Sequence, residues 1–296
     1  MITTAISDTP QRGLRGVIHR RPYLALLLIF NTIGQGVAFV PVIALRRYGV
    51  ALNVDLFVIV PTLLFLLLPA LVITRIARGR DGLRALGRAM VRFRVRPWWY
   101  LLPLVAVPGL TVVTALPAPP DLTAQRVIVT YLLGYLPALL FQFLTTNWWE
   151  ETVWTGFFQA PLQARLGAWR AVLVTTPFFA LEHISLVFGG TFSDGVLQLG
   201  LLLLVILPTR ALLGWVYNRT GSLPLVGLVH ASSNASGLAL VPQLFHQIGG
   251  GGSALLLLGV VVIVATRGRL GWGDSRRTDV VASRSDPAST PAPTCS

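Results

Sequence analysis

Residues Leu56–Ile73 read LFVIVPTLLFLLLPALVI, an apolar run without one charged side chain. A helix needs about 20 such residues to cross the hydrocarbon core of a bilayer. Runs of this kind recur along the chain and predict spans at Tyr23–Leu45, Leu56–Ile73, Trp98–Leu116, Val127–Thr146, Ala171–Phe188, Val196–Val216, Leu223–Val241 and Ser253–Thr266. The fourth run is expected to continue helically into the segment that starts at Asn147. The fold class that follows is all-α, a polytopic transmembrane helix bundle of about eight spans. Its expected organisation is an N-terminal cytoplasmic segment over 1–22, a bundle over 23–268, and a tail over 269–296. That tail is rich in Ser, Pro, Asp and Arg and is read as disordered.

Composition points the same way. The 296 residues are 54% hydrophobic and 12% charged, whereas a soluble domain carries about 25% charged residues. The net charge of +13 is carried wholly by arginine, 24 residues with no lysine. A basic chain of this kind invites a nucleic-acid reading, but the arginines lie mostly in short connectors between apolar runs. On the eight-span topology, 20 arginines fall on the side that holds both termini and only Arg46, Arg47 and Arg126 on the other. By the positive-inside rule both termini are then cytoplasmic, the chain is a multi-pass protein of the cell membrane, and its basic partner is lipid rather than nucleic acid. The first apolar run, at Tyr23–Leu45, is too long for a cleavable signal and reads as an uncleaved anchor. Between the second and third spans, Arg80, Arg84, Arg88 and Arg92 repeat at i, i+4 and predict an amphipathic elbow on the inner leaflet. The one cysteine, Cys295, excludes an intrachain disulfide and a Cys-rich metal site.

Ionisable groups inside a span each cost about 2.5–3.5 kcal/mol and so mark function or a partner. All three glutamates of the chain, Glu150, Glu151 and Glu182, are expected in or beside spans. Glu150 and Glu151 stand in Trp148-Trp-Glu-Glu-Thr-Val-Trp-Thr-Gly156, and His183 follows Phe179 by one helical turn. His230 and Asn234, at i and i+4 in the seventh span, project into one space. Arg210, after Pro208, is the one arginine predicted well inside a span. Glu182 lies about 100° around the helix from His183, which predicts a separate interhelical contact.

The order Glu150-Glu151, Gly156-Phe157, Phe179-x-x-x-His183, His230-x-x-x-Asn234 resembles the three-motif signature of the CPBP family, the CAAX proteases and bacteriocin-processing enzymes also called the Abi family. The stretch Gly214-Trp-Val-Tyr-Asn-Arg-Thr-Gly-Ser-Leu223 is also similar, and the likeness extends over about 125–240. The resemblance implies an intramembrane endopeptidase that hydrolyses a peptide bond in a membrane-associated or lipidated peptide or protein. It implies Glu150 as the general base on water, assisted by His183, with His230 and Asn234 donating to the oxyanion. It also admits a metalloendopeptidase in which Glu150, His183 and His230 ligate a divalent metal such as zinc. The family's first motif is Glu-Glu-x-x-x-Arg, and Thr155 stands where that arginine belongs. Either Glu151 is then protonated or another cation supplies the charge; Arg210 is the candidate, with snorkelling to the inner interface as its alternative role. The competing readings are a non-catalytic membrane scaffold or immunity-type protein that keeps the fold, and a proton-coupled transporter.

Overall fold

The computed structural model describes residues 13–115, 123–187, 192–240 and 252–273. Most of the tail, the Gly249–Gly251 stretch, Cys295 and the predicted span ends at Leu116, Phe188 and Val241 lie outside the described residues. The rest is helical without strands. Eight helices occupy the expected apolar runs: α1 Pro22–Tyr48, α2 Val54–Met90, α3 Pro97–Thr114, α4 Gln125–Leu166, α5 Ala168–Glu182, α6 Phe192–Thr220, α7 Leu223–Ala239 and α8 Gly252–Thr266. Five of them (α1, α2, α3, α4 and α6) are long and apolar enough to cross a membrane. The other three are shorter.

Much of the outer helical surface is apolar. Leu133 is 76% exposed, Val264 71% and Leu204 64%, while Glu150, Glu151, Arg210 and His230 are buried. Large apolar side chains outside and charges inside are what a lipid solvent demands, since exposed apolar surface costs nothing there.

Local chemistry sets the breaks. Gly79, with φ 69°, interrupts α2, so the arginine-rich second half leaves the line of the first as the predicted elbow. Its Leu86 turns inward and closes over Gly156 on α4. Gly221, with φ 63°, ends α6, and Ser222 starts α7 by accepting from the Leu225 N–H at 3.1 Å. Pro224 in the first turn needs no hydrogen bond there.

Helix α7 is the axis of the bundle. Thirteen of its side chains are buried, on every face, which explains why it carries Gly, Ala and Ser rather than an amphipathic stripe. It packs against α3, α4 and α6. At Gly227 a Cβ would stand 2.8 Å from the Trp148 Cα, so glycine there sets how closely α7 approaches α4. Three helices are also tied at one carbonyl. Val107 N–H bonds Leu102 O in the widened turn of α3, and the next residue along, Pro108, has no N–H to give to Pro103 O. The hydroxyls of Tyr135 on α4 and Ser232 on α7 donate to that carbonyl instead.

One expectation is corrected. The fifth span was predicted to run unbroken to Phe188, but α5 ends at Glu182 and His183 adopts φ −93°, ψ 5°. The carbonyls of Leu181 and Glu182 are freed by the break, and the Gln35 amide of α1 donates to both, at 3.1 and 2.7 Å. A polar side chain on another helix thus stabilises a break that periodicity on α5 alone does not show.

Candidate active site

The site is built on α4 from Asn147 to Gln159. After the turn Trp148–Glu151 the helix widens to π-helical form over Thr152–Gln159. Pro161 lacks the N–H that Phe157 O would accept in an α-helix, and Arg78 of α2 donates to that carbonyl at 3.0 Å instead. Within this segment Glu151, Thr155 and Gln159 all reach α6, where Arg210 lies.

Arg210 is fully buried and every polar reach of its guanidinium is used. Its Nη1 donates to both oxygens of Glu151 at 2.9 Å. Its Nη2 donates to the Thr155 hydroxyl and to Gln159 Oε1, both at 2.8 Å, and Nε donates to Gln159 Oε1 at 3.0 Å. The Thr155 hydroxyl in turn donates a hydrogen bond to Glu151 Oε2 at 2.5 Å. Gln159 closes the loop by donating to the Arg210 carbonyl at 3.2 Å. Gly214, one turn beyond Arg210, leaves the room for this amide, since a Cβ there would meet Gln159 Nε2 at 2.3 Å.

Glu151 therefore accepts from arginine, threonine and, at 3.0 Å, His230 Nδ1. Glu150, its neighbour in sequence, is treated differently. It accepts one hydrogen bond, from the Asn147 amide at 3.0 Å, and His230 Nδ1 stands 3.8 Å from it. The Asn147 carbonyl in turn accepts from Asn234 at 3.3 Å. His183 donates from Nδ1 to Phe179 O at 3.0 Å; a carbonyl only accepts, so the facing nitrogen carries the proton and Nε2 of the neutral ring is left as an acceptor. The Phe179 ring lies 5.0 Å from the His183 ring and 5.8 Å from His230, with the Arg210 guanidinium 5.1 Å away.

Each site residue named from sequence thus falls into one assembly. Glu150, Glu151, Thr155, Arg210 and His230 are in direct contact, Asn234 joins through Asn147, and His183 joins through Phe179. Two members had not been singled out. Asn147 bridges Glu150 to Asn234, and Gln159 holds Arg210. Their signal was available, because each is an amide at a helical spacing from a glutamate inside an apolar run. Glu182 lies against Trp154 of the neighbouring helix α4; both of its carboxylate oxygens are buried and neither closes a hydrogen bond. Among the described residues no three His, Cys, Asp or Glu side chains are grouped to hold one metal ion. Glu150, His183 and His230 are not among such groups.

Fold and site define a polytopic α-helical membrane protein with a buried carboxylate–imidazole centre closed by an arginine. Residues 131–236 match the family model of the type II CAAX prenyl endopeptidase Rce1-like proteins, the family that the three motifs resemble. The match runs from Tyr131 on α4 to Ser236 on α7 and takes in every residue of the centre. No curated protein matches the chain.

Proposed function

We propose that the chain is an intramembrane endopeptidase that cleaves a membrane-associated or lipidated peptide through a water activated by Glu150. The observation that carries this reading is the unequal treatment of two adjacent glutamates. Glu151 is saturated by Arg210, Thr155 and His230, whereas Glu150 keeps acceptor capacity on both oxygens after its single bond from Asn147. A buried residue with spare lone pairs suits a general base, and a saturated one suits a fixed support.

In the proposed reaction Glu150 takes a proton from water as the water oxygen bonds to the scissile carbonyl carbon. His183 Nε2, as an acceptor, helps to orient that water. The charge that develops on the carbonyl oxygen is met by donors from His230 and Asn234 on α7. His230 gives Nδ1–H to Glu151, so to donate from Nε2 as well its ring must carry both protons. Collapse of the intermediate breaks the C–N bond, and the proton held by Glu150 passes to the leaving amine. We place the chain in the cell membrane with both termini in the cytoplasm, on the asymmetry of its arginines.

The test is cleavage of a quenched fluorescent reporter peptide, with and without a C-terminal lipid, by the purified chain in detergent. Turnover that vanishes in Glu150→Ala supports the reading. Turnover that survives both Glu150→Ala and His183→Ala overturns the mechanism.

A further inference from the structure

Five buried side-chain polar atoms among the described residues lack a hydrogen-bond partner, and four of them belong to three residues around the broken end of α5. They are both carboxylate oxygens of Glu182, the indole Nε1 of Trp154 and the Oε1 of Gln35. Trp154 is 1% exposed and Gln35 4%. Gln35 is anchored at this helix end by its bonds to Leu181 O and Glu182 O. The indole N–H of Trp154 is turned toward the Glu182 carboxylate without closing a direct hydrogen bond. Orphaned polar atoms in a core are costly, about 1–3 kcal/mol each, so their gathering in one place calls for an occupant.

The inventory of atoms selects it. Three acceptors and one donor remain open. A metal cation is unsuited to an indole N–H, and an anion is unsuited to a carboxylate. A water molecule answers three of the four, because it accepts from Trp154 and donates to one Glu182 oxygen and to Gln35 Oε1, within the two to four partners that a buried water needs. We propose that Trp154, Glu182 and Gln35 hold a buried water at the end of α5, and that this water is the reserve from which Glu150 is resupplied after each turnover. The second half rests on the peptidase reading above; the first does not. Glu182 is the sequence neighbour of His183. Trp154 follows Glu150 by one helical turn. Each peptide bond hydrolysed consumes one water, and within a bilayer the bulk phase is not adjacent.

Hydroxyl-radical footprinting with mass spectrometry, on the purified full chain in detergent, reads bound water directly, since radicals form on water held against a side chain. Phe157, which is 0% exposed, gives the background. Trp154 is expected to be modified well above Phe157, to fall to that background in Glu182→Leu, and to keep its label in Glu182→Gln, whose amide still bonds water. Modification of Trp154 at the Phe157 level in the unaltered chain overturns the water site, and so does a label that Glu182→Leu leaves in place. Should Glu182→Leu fail to fold, Gln35→Leu gives the same readout. For the reserve role, Glu182→Leu is expected to lower kcat with KM unchanged, while Glu182→Gln stays close to the parent. Loss of the label with kcat intact overturns the reserve role and leaves the water structural. A chain without peptidase activity that still labels Trp154 separates failure of the peptidase reading from failure of the site.

Discussion

The Arg210 guanidinium on α6 donates to both carboxylate oxygens of Glu151 on α4 at 2.9 Å, with both side chains fully buried. It thereby occupies, from another helix, the place beside Glu151 that the family motif gives to an arginine four residues along α4. Thr155, which stands at that position here, bonds both partners and completes the contact.

Breaking a buried pair leaves an uncompensated charge and costs about 3–5 kcal/mol. Arg210→Met is therefore expected to lower the thermal midpoint sharply, and Glu151→Gln to recover part of that loss when added to it. A double-mutant cycle on thermal stability measures the coupling. Additive losses would show that the two residues act independently.

The arginine should also be movable. Thr155→Arg alone places a second cation in a fully buried site and is expected to destabilise the fold. Combined with Arg210→Gln it returns one arginine to Glu151 at i+4, and stability should recover toward the parent. Equal stability of the single and double variants would contradict the account. Thermal melting in detergent distinguishes them.

Gly227→Ala is expected to force α7 away from α4. Its Cβ would meet the Trp148 backbone at 2.8 Å, and backbone does not yield as a side chain end does. Overpacking of this kind costs about 1–3 kcal/mol. His230 lies one turn further along α7, so reporter cleavage should fall along with the thermal midpoint. An unchanged midpoint and unchanged cleavage would place the helix contact elsewhere.

Turnover is expected to persist after chelator treatment. Glu150, His183 and His230 are not grouped as a metal site among the described residues, and the activation of water is assigned to Glu150. Reporter cleavage before and after dialysis against chelator, with metal analysis of the same samples, checks this. Loss of turnover that zinc restores would move the mechanism to the metal class.

Much of this was legible in the sequence because membranes make charge rare. Three glutamates and one intraspan arginine stood out against apolar runs, and the empty motif position at Thr155 pointed to a cation from elsewhere. What was not legible depends on contacts between helices. Nothing in the periodicity of α5 announces the break at His183, since the Gln35 amide that satisfies its freed carbonyls comes from α1. The helical spacing of Asn147 and Gln159 from the glutamates was visible, but their partners, Asn234 and Arg210, lie on other helices. Glu182 was expected to meet a neighbouring helix, but which side chain it meets there, the Trp154 indole of α4, is set by the packing of the two helices. The Phe157 carbonyl that Arg78 caps is left open by Pro161, four residues further along α4.

The division of labour between the two glutamates is the centre of the account, and paired amide substitutions test it most directly. The measurement is kcat for reporter cleavage together with the thermal midpoint, for Glu150→Gln and Glu151→Gln. Glu150→Gln is predicted to fold with a midpoint near the parent and to lose turnover; Glu151→Gln is predicted to lose stability through Arg210. Retained turnover in a folded Glu150→Gln chain would contradict the assignment of the base.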